Sequence, residues 1–182
     1  MKASASTLEH AILGLLSRQP QSGYDLRKAF VTRLRYYSDS PGSIYPALRR
    51  LESRGWVAAV ADGVDNRSRQ PFELTPAGRQ ELIAWLEQPL TPEDVSLRLA
   101  ELMLRFSLMD GNVSRSITLS FLSKLGESLA VRAAELRRHY EELCAKFPVS
   151  TGLLSMLSGA ETMEAQARWT RLATATLEGK TA

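Results

Sequence analysis

Residues 40–51 read SPGSIYPALRRL, and this short stretch decides how the first half of the chain is read. Ser40 is a good helix N-cap, and Pro41 suits the first helical position, where a missing N–H costs nothing. Ile44, Ala47, Leu48 and Leu51 then recur at helical spacing, so one side of the segment belongs to a core. Ser43, Tyr45, Pro46, Arg49 and Arg50 are left to face elsewhere. An outer side that is small, hydroxyl-bearing and cationic suits the DNA major groove, but a solvated amphipathic helix has the same pattern. Within this frame Pro46 is interior. It removes the hydrogen bond to Gly42 and should kink or loosen the helix at a cost of about 3 kcal/mol.

Working outward, Leu8, Ala11, Ile12, Leu15 and Leu16 predict a first helix from about Thr7 to Ser17, ended by Pro20. Ser22 and Asp25 have the spacing of a capping box and open a second helix to about Leu34, with Leu26, Ala29 and Phe30 inward. The segment from Ser40 is the third helix, closed by Gly55. After it the period changes. WVAAV and QPFEL are short extended runs around the turn-rich ADGVDNRSR, which predicts a β-hairpin. Thr75 and Pro76 start a fourth helix through Leu86. Three helices, a hairpin and a helix form the order of a winged helix-turn-helix, the hairpin being the wing.

Pro89 and Pro92 mark a break, with TPEDVS as a link, and divide the chain into domains 1–90 and 91–182. Beyond it, helical stretches are expected at about Val95 to Leu108, Val113 to Phe147 and Ser150 to Leu177. The middle one, at 1.5 Å per residue, overhangs a small monomer and suggests pairing with a second copy. The fold class is therefore mainly α with one small hairpin.

Charge is uneven along the chain. The first 90 residues hold 12 Lys and Arg against 9 Asp and Glu, and the remaining 92 hold 11 of each. Residues 18–54 carry a local +5, where a polyanion would land. Arg49 and Arg50 are the natural charge contacts there, with Ser40 and Ser43 as hydroxyl donors. A lone cysteine, Cys144, excludes an internal disulfide, and a cytoplasmic setting is expected because no secretory h-region or membrane span is legible. His139, Glu141, Glu142 and Cys144 are too few and too divergent for a zinc site, and no phosphate-binding or nucleophile motif occurs, so neither catalysis nor a metal or cofactor is expected. His10, between apolar positions, reads as packed.

LGLLSRQPQSGYDLRKAF, SPGSIYPALRRLESRGWV and FELTPAGR resemble the PadR family of bacterial transcriptional regulators over about Leu13 to Arg79. The C-terminal half is similar in helical layout to the subgroup with a long dimerisation domain. The resemblance implies a homodimeric repressor bound to double-stranded DNA at an inverted-repeat operator, in the cytoplasm at the nucleoid, and released by a small aromatic or cationic effector. It places Ser43, Tyr45 and Pro46 on recognition-helix positions, Arg69 on the wing arginine and Tyr24 at the start of the second helix. Arg67 joins them at the wing tip, although Asp62, Asp65 and Glu73 make this wing less cationic than its relatives'. Trp169, Phe121 and Tyr140, with Phe147, offer aromatic surface for an effector, or plain core. The rival reading is a winged-helix protein-interaction module, favoured if the arginines are neutralised by neighbouring acids.

Overall fold

The computed structural model describes residues 5–32, 43–60 and 70–179. Contacts divide the chain into two units, Met1–Gln88 with Ala100–Ser114, and Pro89–Leu99 with Arg115–Ala182.

The first unit is built around α1 (Thr7–Leu16), in which every residue from Leu8 to Leu16 is buried. Ser6 starts it through a full capping box: its hydroxyl accepts from the Glu9 N–H, and its own N–H donates to the Glu9 carboxylate. β1 (Gln21–Ser22) leads into α2 (Gly23–Thr32), where the Ser22 and Asp25 box forms as the sequence predicts. Next come α3 (Ile44–Ser53), β2 (Val57–Ala59), β3 (Pro71–Leu74) and α4 (Pro76–Leu86). Gly55 adopts φ 70° after α3, a conformation open to glycine at little cost. Thr75 caps α4 by accepting from the Gly78 N–H at 3.1 Å and donates its hydroxyl to the Gly55 carbonyl at 2.7 Å.

The hairpin pairs Val57 with Leu74 and Ala59 with Phe72, while β1 adds an antiparallel third strand on the other side of β3, with Gln21 opposite Phe72. That third strand has no sequence signal. It is two residues long and exists only because β3 is beside it.

The segment read as a link is a helix, α5 (Pro92–Leu97), capped reciprocally by Thr91 and Asp94 with proline at its start. Arg98, at φ −128° and ψ 28°, leaves the helical region and separates α5 from α6 (Leu99–Ser107). α6 groups largely with the first unit. There Arg105, 5% exposed, donates to the carbonyls of Leu86 and Gln88 and satisfies the C-terminal end of α4.

In the second unit α7 (Arg115–Cys144) and α8 (Thr151–Leu177) form an antiparallel pair, with α5 packed on α7. Leu122, Leu125, Leu129, Ala133, Ala160 and Ala167 make the seam. Arg137 clamps the pair by donating to Glu164 at 2.8 Å and Glu161 at 2.6 Å. Among the described residues no helix is long and apolar enough to cross a membrane.

Candidate nucleic-acid interface

α3 buries one face completely: Ile44, Ala47, Leu48 and Leu51 are at most 2% exposed. Tyr45, Pro46 and Arg49 lie on the opposite side and are exposed, as the sequence predicts. Ser40 and Pro41 lie outside the described residues. Ser43 occupies the N-cap position without a side-chain cap hydrogen bond.

α3 runs unbroken through Pro46. Because the helix begins at Ile44, Pro46 is its third residue, and its missing N–H is one of the four that have no intrahelical partner in any case. The proline is accommodated by the first turn instead of breaking an interior one.

Tyr45 is held by α2. A Cβ at Gly23 would stand 2.6 Å from Cε1 of Tyr45, so the ring lies against bare backbone that only glycine offers. Tyr24, the next residue, is 63% exposed, and Tyr45 is 41% exposed. The structure thus brings the first turns of α2 and α3 together as one surface with two tyrosines. Arg27 and Lys28 add exposed cations on α2.

The two arginines of α3 part company. Arg49 makes no ion pair among the described residues. Arg50 donates from Nε to Oε1 of Glu9 at 2.6 Å, and Arg54 reaches Oε2 of the same carboxylate at 3.3 Å while its guanidinium lies 5.0 Å over the Trp56 ring. Glu9 was invisible as a site residue because its partners are 41 and 45 positions away. Burial alone would raise its carboxyl pKa; the hydrogen bonds from Arg50 and the Ser6 N–H, with the charge of Arg54, outweigh that and hold it below the usual carboxylate value. Among the described residues, one acid that would neutralise the interface is present for Arg50 and none for Arg49. Arg67 and Arg69 lie outside the described residues.

His10 is packed. It is 3% exposed, stacks on Trp85 at 4.6 Å between ring centroids, and places Nε2 3.4 Å from Glu81. Burial holds its pKa below that of an ordinary imidazole, in spite of Glu81.

Phe121 is buried, Tyr140 and Trp169 are half-buried, and Phe147 is 59% exposed beyond α7. Phe121 and Tyr140 are nineteen residues apart on α7, about 28 Å along its axis. A groove of about 450 Å³ between α7 and α8 is lined by Leu122, Gly126, Ala130, Thr170, Arg171 and Thr174 among others, and by none of the four aromatics.

Three helices, a three-stranded sheet carrying a hairpin and a fourth helix, with an exposed polar face on the third helix, define a winged helix-turn-helix regulator. Comparison with known proteins agrees. The profile of the transcriptional regulator PadR-like family matches residues 12–84. The negative transcriptional regulator PadR of Bacillus subtilis is 32% identical over 143 residues, which cover 76% of this chain and 75% of that one. The probable transcriptional regulator Rv1176c of Mycobacterium tuberculosis is 34% identical over 87 residues, 47% of this chain and 46% of its own length. The crystal structure of Bacillus subtilis PadR in complex with operator DNA aligns with 93% of this chain and 97% of that one, at 26% identity and a TM-score of 0.43. The chain belongs to the PadR family and is a transcriptional regulator.

Proposed function

We propose that this regulator is a homodimeric repressor that reads a pseudo-palindromic operator with the exposed side of α3 and leaves it when a small aromatic or cationic molecule binds. The observation that carries the reading is the surface formed by Tyr45 and Arg49, backed by a fully packed helix face and by the Tyr45 contact with Gly23. A reading helix must be held in place, and the buried face of α3 supports that role.

In the mechanism, the start of α3 enters the major groove. Ser43 and Tyr45 meet base edges or phosphate, Pro46 makes apolar contact, and Arg49 supplies charge. Tyr24 steadies the complex from α2, with Ser40 before α3 and Arg67 and Arg69 in the wing completing the contacts. Arg50 is not among them, because its charge is paired with the buried Glu9. The name of the Bacillus subtilis relative, a negative regulator, supports repression.

Dimerisation through residues 91–182 is supported by α7, whose 30 residues span about 45 Å, and by Val131 and Leu172, apolar residues left 60% and 61% exposed on α7 and α8. Two copies double the phosphate contacts and fix the half-site spacing at about one helical turn of DNA or a multiple. The reading involves no catalytic step and sets the protein in the cytoplasm, at the nucleoid. Footprinting on the DNA upstream of its own gene tests it: two symmetric protected half-sites are expected, and a single unsymmetric site would overturn the operator geometry.

A further inference from the structure

Among the described residues Glu9 is the one carboxylate in the buried core, its side chain 3% exposed, and it faces the helix that is to meet a polyanion. Its two oxygens accept three close contacts between them: the Ser6 N–H at 2.9 Å and Arg54 at 3.3 Å on Oε2, and Arg50 at 2.6 Å on Oε1, while the capping box returns the Glu9 N–H to the Ser6 hydroxyl. Ser6 anchors the carboxylate to the start of α1, so it cannot follow an arginine that swings away. Arg54 is held a second time by Trp56.

The Arg50 side chain is half exposed, but its charge is paired with Glu9, and leaving for a phosphate would take from a buried carboxylate one of its two cations. Arg50, in α3, and Arg54, its C-cap, lie four residues apart and meet the same carboxylate, and Arg49 lies on another side. Three arginines in six residues would otherwise make this helix a strong ligand for any DNA, because phosphate contacts carry affinity without sequence information.

We propose that Glu9 is a specificity-determining residue: it withholds Arg50 and Arg54 from DNA, so that Arg49 is the cation with which α3 meets the duplex. This rests on the DNA-reading role above. Binding of arbitrary DNA is thereby kept weak, and discrimination passes to the Tyr45 side of the helix.

The test uses the full chain and a labelled duplex of mixed sequence about two helical turns long, with affinity followed by fluorescence anisotropy between about 50 and 200 mM KCl. Each phosphate contact adds about 0.9 to the slope of log K against log salt. Glu9→Gln should bind this duplex more tightly and steepen the slope by about 2 per dimer, one released guanidinium per copy. Arg50→Gln should leave the slope unchanged, and Arg49→Gln should lower it by about 2 per dimer. An unchanged or shallower slope for Glu9→Gln, or a shallower one for Arg50→Gln, would overturn the proposal. If Glu9→Gln does not fold, Arg50→Gln and Arg54→Gln decide it alone, a lower slope in either counting against withholding and unchanged slopes in both upholding it. Failure of the unaltered chain to bind the duplex at the lowest salt would overturn the DNA-reading role itself, and this proposal with it.

Discussion

The ring of Tyr45 lies so close to Gly23 that a methyl group there would stand 2.6 Å from its Cε1. The first turn of α2 therefore sets the direction in which the first turn of α3 presents its aromatic. Tyr45→Ala should weaken binding to the footprinted site by about 1 to 3 kcal/mol and binding to mixed-sequence DNA by less. Gly23→Ala should act through the same ring and cost the footprinted site about 1 kcal/mol, with no added loss in the double variant. Anisotropy titrations of the single and double variants check this, and additive losses would separate Gly23 from Tyr45.

The wing contribution is testable through Arg69. Arg69→Ala should weaken binding on all sequences about equally and lower the salt slope by about 1 per copy. An unchanged slope would remove the wing from the interface.

Stability should fall in mild acid, and the sign follows from His10. Stacked on Trp85 in α4, it faces Glu81 from the same helix, Glu101 from α6 and Glu9 on its own helix, yet burial still lowers its pKa. The unfolded chain therefore binds the proton more readily than the folded one. Stability is full above the unfolded imidazole value of about 6.5 and declines as pH falls from there towards the lower folded value. Glu9, also lowered, contributes stability above about 4.3 that is lost as pH falls through its folded value. His10→Phe keeps the stack and should flatten urea unfolding midpoints between pH 7.5 and about 5.5 while leaving the loss at lower pH. A decline of the same size in His10→Phe would assign the upper range to another group.

Arg105 joins α6 to the end of α4 with two hydrogen bonds to backbone carbonyls. Arg105→Met keeps the apolar stem and leaves those carbonyls without their donor, and should cost about 2 to 3 kcal/mol in urea unfolding followed by circular dichroism. A loss below about 0.5 kcal/mol would show that water replaces the guanidinium.

What the sequence determined by itself is local. The stripes of α1 and α3, the box at Ser22, the cap at Thr75 and the extended runs of the hairpin depend on residues a few positions apart, and they formed where their patterns lie. The Thr91 box was equally legible, but the neighbouring prolines drew it into a link. Pro46 was misplaced because a sequence pattern does not locate the first helical residue to within a turn, and that decides whether a proline breaks a hydrogen bond or merely occupies an orphan position.

Only the tertiary structure decided the rest. It paired β1 with β3 across some fifty residues, set Tyr45 on Gly23 and carried Arg105 to α4. Above all it divided two adjacent arginines that look equivalent in the sequence. Arg49 and Arg50 have the same charge and nearly the same position; the helix turns them about 100° apart. One faces outward and the other meets a carboxylate from 41 residues earlier, because burial of that carboxylate is tolerable only when a cation comes with it.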